Sequence, residues 1–439
     1  LIGFGIVAAG LLIDEPQVLA LLDEPSGAGV TVASAYTFSK VRADGWSWLN
    51  RVLALPGLTA RQKARLLLCS DDVPQAWEEA RKLGHQAWDF YWKEFVIFGR
   101  GPDFPYSLLV SKELLRVGRV RAAIEMLTLY GRRGDPSELN DRANLMAEAL
   151  ERLLQGDGTD INGSRDLSQH DFQGIFERLM ASNIDRARLA KLEFAYLPFL
   201  EYGRGPEALY RMLADDPALF VDFMKACFQA AYEGSDTGDT GDTAEPTTSA
   251  TGKSGDEDPH GMEAQESTPK TEQELRMAEN AYRVLRKWNV VPGRREDGTL
   301  DEAALRAWID KARELLKEAQ RVEIGDEQIG RILYSVPADA DGSTPPRVVR
   351  DLFDELQNED LENGYFIEIV NRRGPTSRAL ETGGDPERTL AKAFRDRAEP
   401  FNERWPRTAE ILRRVAASYE FEAARHDQQA ERFRKGLNN

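Results

Sequence analysis

"SLLVSKELLRVGRVRAAIEMLTLYG", residues 107–131, decides the class of fold. Its apolar residues recur every three or four positions, the period of a helix with one buried face. Gly118-Arg119 interrupts the run halfway. Two helices therefore meet there, with Leu114, Leu115, Ala122, Ala123, Leu127 and Leu129 able to face one another. That is the shape of one unit in an α-helical array.

The same period extends in both directions. Upstream lie 58–70 and 73–98, and downstream lie 137–156, 168–182, 185–203 and 205–234, joined by short turns bearing Gly or Pro. Such connections suit antiparallel helix neighbours. No fixed repeat length emerges, so the tetratricopeptide and ankyrin patterns are not met. An irregular, helical-repeat-like array over 1–233 is expected.

Residues 233–274 contain no Val, Ile, Leu, Phe, Tyr or Trp. A segment of that composition buries too little apolar area to offset the entropy of ordering it, so 234–274 reads as a disordered acidic linker. It carries eleven acids against Lys253 and Lys270, about half of the net charge of −17. The acidic balance disfavours a general nucleic-acid role, which needs a basic surface. Helical periodicity then resumes over 275–436, the expected second domain.

One stretch of that domain breaks the pattern. In "GYFIEIVNRRGPTSRAL" (364–380), Tyr365, Ile367 and Ile369 alternate with Phe366, Glu368 and Val370, and a Gly374-Pro375 turn follows. This predicts a small β-hairpin, which must lie against helices because a lone hairpin is marginal in water. Arg372, Arg373 and Arg378 surround the turn. A solvated tip is the plain reading, and contact with an acidic or phosphate-bearing partner is the functional one.

Other motifs read as structure. Gly3, Gly5 and Ala8 fit a dinucleotide-binding fingerprint, and Asp23 follows at a suitable distance, but no strand precedes them. Gly252-Lys253-Ser254 lacks the earlier glycine of a phosphate-binding loop. His170-Asp171 matches the metal-binding pair of the HD phosphohydrolases, yet the chain holds only His85, His170, His260 and His426. Ser168 as N-cap and Asp171 in the first turn explain that stretch more simply. Trp88, Trp92 and Phe95, spaced i, i+4 and i+7 among acids, read as core and not as a base-stacking platform. Cys69 and Cys227 read as buried free thiols of a reducing compartment. "LIGFGIVAAGLLI" at the start is too short to span a bilayer. Cytoplasmic is the default location, and Leu1 in place of Met suggests a piece of something longer.

"DGWSWLNRVLALPGL", "LEFAYLPFLEYGRGPEALYRMLADDPALFVDFM", "AENAYRVLRKWNVVPG", "GDEQIGRILYSVPADADG" and "WPRTAEILRRVAASYE" resemble the helical C-terminal region of large uncharacterised bacterial multidomain proteins. There, an upstream regulatory or effector module is attached to a long helical region, and some members are suspected of roles in regulation or phage defence. The resemblance implies a scaffold or sensor, and no functional residue carries over. The leading expectation is therefore a non-enzymatic, all-α protein without a cofactor or bound metal. Its partner would be another protein or an upstream domain of the same polypeptide, and Arg372, Arg373 and Arg378 are its candidate contact residues. The alternatives are a metal-dependent phosphohydrolase using His170 and Asp171, or nucleic-acid binding through the three arginines.

Overall fold

A computed structural model describes residues 14–97, 104–129, 138–156, 167–200, 203, 205–228, 271–295, 297–374 and 383–435. The protein is all-α: among the described residues the regular elements are helices, and an isolated antiparallel bridge joins Arg294 to Leu300. None of these helices is long and apolar enough to cross a membrane. The chain divides into two compact units, Leu1–Gly205 and Pro206–Asn439.

The first unit contains α1 (Glu15–Ala20), α2 (Ala28–Leu53), α3 (Ala60–Leu68), α4 (Val73–Lys82), α5 (His85–Glu94), α6 (Ser107–Arg116), α7 (Val120–Leu129), α8 (Leu139–Leu154), α9 (Gln169–Met180), α10 (Arg186–Ala195) and α11 (Leu197–Leu200). The turn expected at Gly118 joins α6 to α7. Gly118 takes φ +82°, and the Arg119 N–H bonds back to the Leu114 carbonyl at 2.8 Å while the Gly118 N–H reaches Leu115. This pair of bonds closes the end of α6 with a left-handed residue that glycine adopts without steric penalty. Leu114, Leu115, Ala122, Ala123 and Leu127 are buried at the pair, whereas Leu129 is 39% exposed.

Aromatic packing dominates this unit's core. Trp77, Trp88, Tyr91, Trp92 and Phe95 are all buried, with the rings of Trp92 and Phe95 5.0 Å apart. The core reading of these aromatics holds. Trp48 is buried as well, while Trp46 is half-buried. The carbonyls at the end of α5 need donors that the helix itself cannot supply. Buried Arg119 provides them, donating to Trp92 O at 3.1 Å and Phe95 O at 2.7 Å.

The second unit contains α12 (Glu207–Asp215), α13 (Pro217–Cys227), α14 (Glu272–Lys287), α15 (Glu302–Glu318), α16 (Val322–Leu333), α17 (Arg347–Leu356), α18 (Glu359–Asn371), α19 (Asp385–Ala398) and α20 (Pro406–Arg434). Sequence alone placed 205–233 in the first array. In the structure the division falls at Gly205, and α12 and α13 pack with α14 and α15. Phe220 on α13 sits 5.7 Å from the Trp288 ring and 5.2 Å from Trp308, and the Trp288 indole N–H donates to Tyr210 O at 3.1 Å. Most of 234–274 lies outside the described residues; Thr271 and Glu274 form the capping box that opens α14.

The strand expected at 365–370 is part of α18, and this corrects the hairpin. Leu361, Tyr365 and Ile369 are buried at i, i+4 and i+8, the spacing of one helical face. Each contributes roughly 2 kcal/mol by leaving water. Residues 375–380, where the second strand was expected, lie outside the described residues. Two glycines set the helix pairing. A Cβ on Gly330 of α16 would stand 1.9 Å from Leu361 O, and one on Gly364 of α18 would stand 1.9 Å from Glu327 O. Backbone touches backbone at this crossing, so Gly364 marks a close approach and not a turn.

Candidate functional site

The end of α18 delivers its two arginines to different surroundings. Arg372 remains about half exposed, with Nε 2.6 Å from Glu368 Oε1, one turn back, and its guanidinium 5.8 Å from the centre of the Tyr334 ring. Arg373 turns inward. Its Nη2 donates to Glu387 Oε1 of α19 at 2.6 Å, and its Nη1 donates to Glu422 Oε2 of α20 at 2.9 Å. The guanidinium also lies over the Tyr419 ring at 5.1 Å, a cation–π contact. Only 18% of the Arg373 side chain and 2% of the Glu387 side chain are exposed. Burial opposes the Arg373 charge, but the carboxylates outweigh it and raise its pKa above the ordinary value. Arg378 lies outside the described residues.

Close packing of α19 on α20 brings the partners together. A Cβ on Gly384 would lie 2.2 Å from Ala423 O, so only glycine lets the start of α19 rest on that turn of α20. Asp427 fixes the position from both sides: Oδ1 accepts from the Gly384 N–H at 2.8 Å, and Oδ2 accepts from Arg388 Nη1 at 2.7 Å. Glu387, in the first turn of α19, is thereby held near Glu422 and His426, which share a face of α20 at i, i+4. Glu387, Glu422 and His426 each place a potential ligand atom within 4.8 Å of the others. A cleft of about 340 Å³ opens beside them, lined by Asn371, Arg373, Gly374, Glu422, Arg425 and His426, with Val370 at its edge.

Sequence reasoning picked out Arg373 without its partners, and it missed Glu387, Glu422 and His426. The i, i+4 spacing of Glu422 and His426 was the available signal, since that spacing sets two side chains on one helical face.

His170 and Asp171 are not part of such a set. Ser168 caps α9, accepting from Asp171 N at 3.3 Å, while the Asp171 carboxylate accepts from the Ser168 N–H at 2.9 Å. His170 is exposed, and among the described residues the pair joins no group of three potential ligands. The dinucleotide-like glycines at 3–8 and the Gly252-Lys253-Ser254 stretch lie outside the described residues. Cys69 and Cys227 are thiols that are only partly buried and not fully buried as expected, and desolvation pushes the Cys69 thiol up to about 12.

No protein-family model, curated protein or solved structure matches the chain.

Proposed function

We propose that this chain is a non-enzymatic scaffold or sensor region that binds other proteins or positions an effector module upstream of it, as its resemblance to the helical region of bacterial multidomain proteins implies. Large apolar side chains exposed on α14 and α20 are the observation that supports this most, while Arg373 is paired with Glu387 and Glu422. These ionisable groups are engaged with one another across three helices, an arrangement that stabilises packing. It also withdraws Arg373 from a phosphate-gripping role, leaving Arg372 as the described arginine of the trio best placed to meet a partner.

Irregular stacked helices offer extended surfaces for recognition. Large apolar side chains stand exposed on some of them: Leu275, Met277 and Tyr282 on α14, and Phe421 on α20. The cytoplasm is the expected setting, and another protein or an upstream domain the expected partner.

Cross-linking of the native full-length protein in cells, followed by purification, tests the reading. A partner or upstream domain recovered at fixed stoichiometry, with cross-links on this chain, is the expected result. Repeated recovery of the protein alone, together with a catalytic activity measured on this chain, would overturn it.

A further inference from the structure

We propose that Glu387, Glu422 and His426 form a binding site for a divalent transition-metal ion, with zinc the best fit, in which the ion takes the place held by the Arg373 guanidinium. The inference does not depend on the partner-binding reading. Three ligand atoms already lie within 4.8 Å of one another, and two ligands of a tetrahedral zinc stand roughly 3.4 Å apart. Closing that gap takes side-chain rotation and the departure of Arg373 from the two carboxylates. Two carboxylate oxygens and one imidazole nitrogen make a donor set that suits zinc, and three protein ligands leave a fourth position open.

The surroundings fit a metal in further respects. His426 Nδ1 lies 3.3 Å from Gln429 Oε1, a contact that helps hold the ring on this face of α20. Glu387 and Glu422 would balance the two positive charges of the ion, as they now face the single charge of Arg373. The displaced guanidinium has the cleft beside it to enter. Asp427 keeps α19 on α20 through Gly384 and Arg388, so that link does not depend on Arg373. Metal and arginine thus compete for the same carboxylates. Binding would release the end of α18 from α19 and α20 while leaving α19 and α20 joined.

Competition makes the site testable apart from a purely structural role for the same residues. The full chain, freed of metal by a chelator and dialysed, is titrated with zinc chloride by calorimetry, alongside Glu422→Gln, His426→Gln and Arg373→Gln. Folding of each variant is checked by circular dichroism. One zinc per chain is expected for the wild type, with affinity at least about tenfold weaker in Glu422→Gln and His426→Gln. Arg373→Gln should bind about tenfold more tightly, and zinc should raise its melting temperature by more than it raises that of the wild type. A wild-type chain that takes up no stoichiometric zinc overturns the proposal. So does uptake that His426→Gln and Glu422→Gln leave unchanged, which would place the ion elsewhere. If Arg373→Gln fails to fold, the wild type and the two ligand variants decide the matter alone.

Discussion

Replacing Gly330 or Gly364 with alanine adds a single methyl group at the crossing of α16 and α18. The new Cβ would lie 1.9 Å from a backbone carbonyl oxygen in each case, where ordinary contact begins near 3.4 Å, so the helices must part by about 1.5 Å. Overpacking of this kind costs up to about 3 kcal/mol, and backbone atoms cannot rotate away as a side chain would. Alanine returns up to about 1 kcal/mol through its better helix propensity. A net loss of about 2 kcal/mol is expected for either substitution. Gly174 of α9 supplies the control: it is also helical, but its Cβ would meet nothing within 4 Å, so Gly174→Ala should be neutral or stabilising by up to about 1 kcal/mol. Urea denaturation of the full chain, followed by circular dichroism, measures all three. If Gly330→Ala and Gly364→Ala match Gly174→Ala, the two helices do not meet as described, and the helical assignment of 364–371 loses its main packing argument.

Ser168→Ala should destabilise the first unit by about 1 kcal/mol through loss of the α9 cap, while His170→Ala should leave thermal stability unchanged. Arg65→Met should be far more damaging. Its buried guanidinium donates to the Leu22 and Glu24 carbonyls at 2.7 and 2.5 Å and pairs with Glu94 at 2.6 Å, so a loss of about 3 kcal/mol or more by chemical denaturation is expected. Burial raises the pKa of Asp354, with only partial relief from the Arg407 backbone N–H and charge, and its Oδ2 has no hydrogen-bond partner among the described residues. A carboxyl whose folded pKa is raised stabilises the fold fully below its unfolded pKa and loses that contribution as pH rises through the folded value. The stability of Asp354→Asn relative to wild type should therefore improve between pH 4 and pH 7; a difference that stays constant would contradict the burial argument.

Much of the helical architecture was legible because apolar residues at three- and four-residue spacing dominate the chain, and local chemistry marked several ends. The turn at Gly118 and the cap at Ser168 are decided by residues within a few positions of each other. The misreading at 364–371 has a local cause as well. β-Branched and aromatic residues fill α18 so densely that alternation masks the Leu361, Tyr365 and Ile369 stripe, and Gly364 looks like punctuation. What Gly364 accommodates is Glu327, 37 residues earlier, and no local pattern carries that contact. The packing of Phe220 with Trp288 and Trp308 was hidden for a similar reason: the acidic stretch at 234–274 is conspicuous, whereas these contacts span it. At the site, Arg373 stood out by charge, but its meaning rests on Glu387 and Glu422, which only the tertiary fold brings to it.

That Arg373 is an internal latch, and not a contact residue waiting for a partner, can be measured with a double-mutant cycle on Arg373→Met and Glu387→Met in the metal-free chain. Removing the guanidinium leaves a carboxylate that is almost wholly out of water, so Arg373→Met alone should cost about 3 kcal/mol, and the double variant should recover a large part of that loss. Arg373→Met with wild-type stability, or additive effects of the two substitutions, would contradict the account.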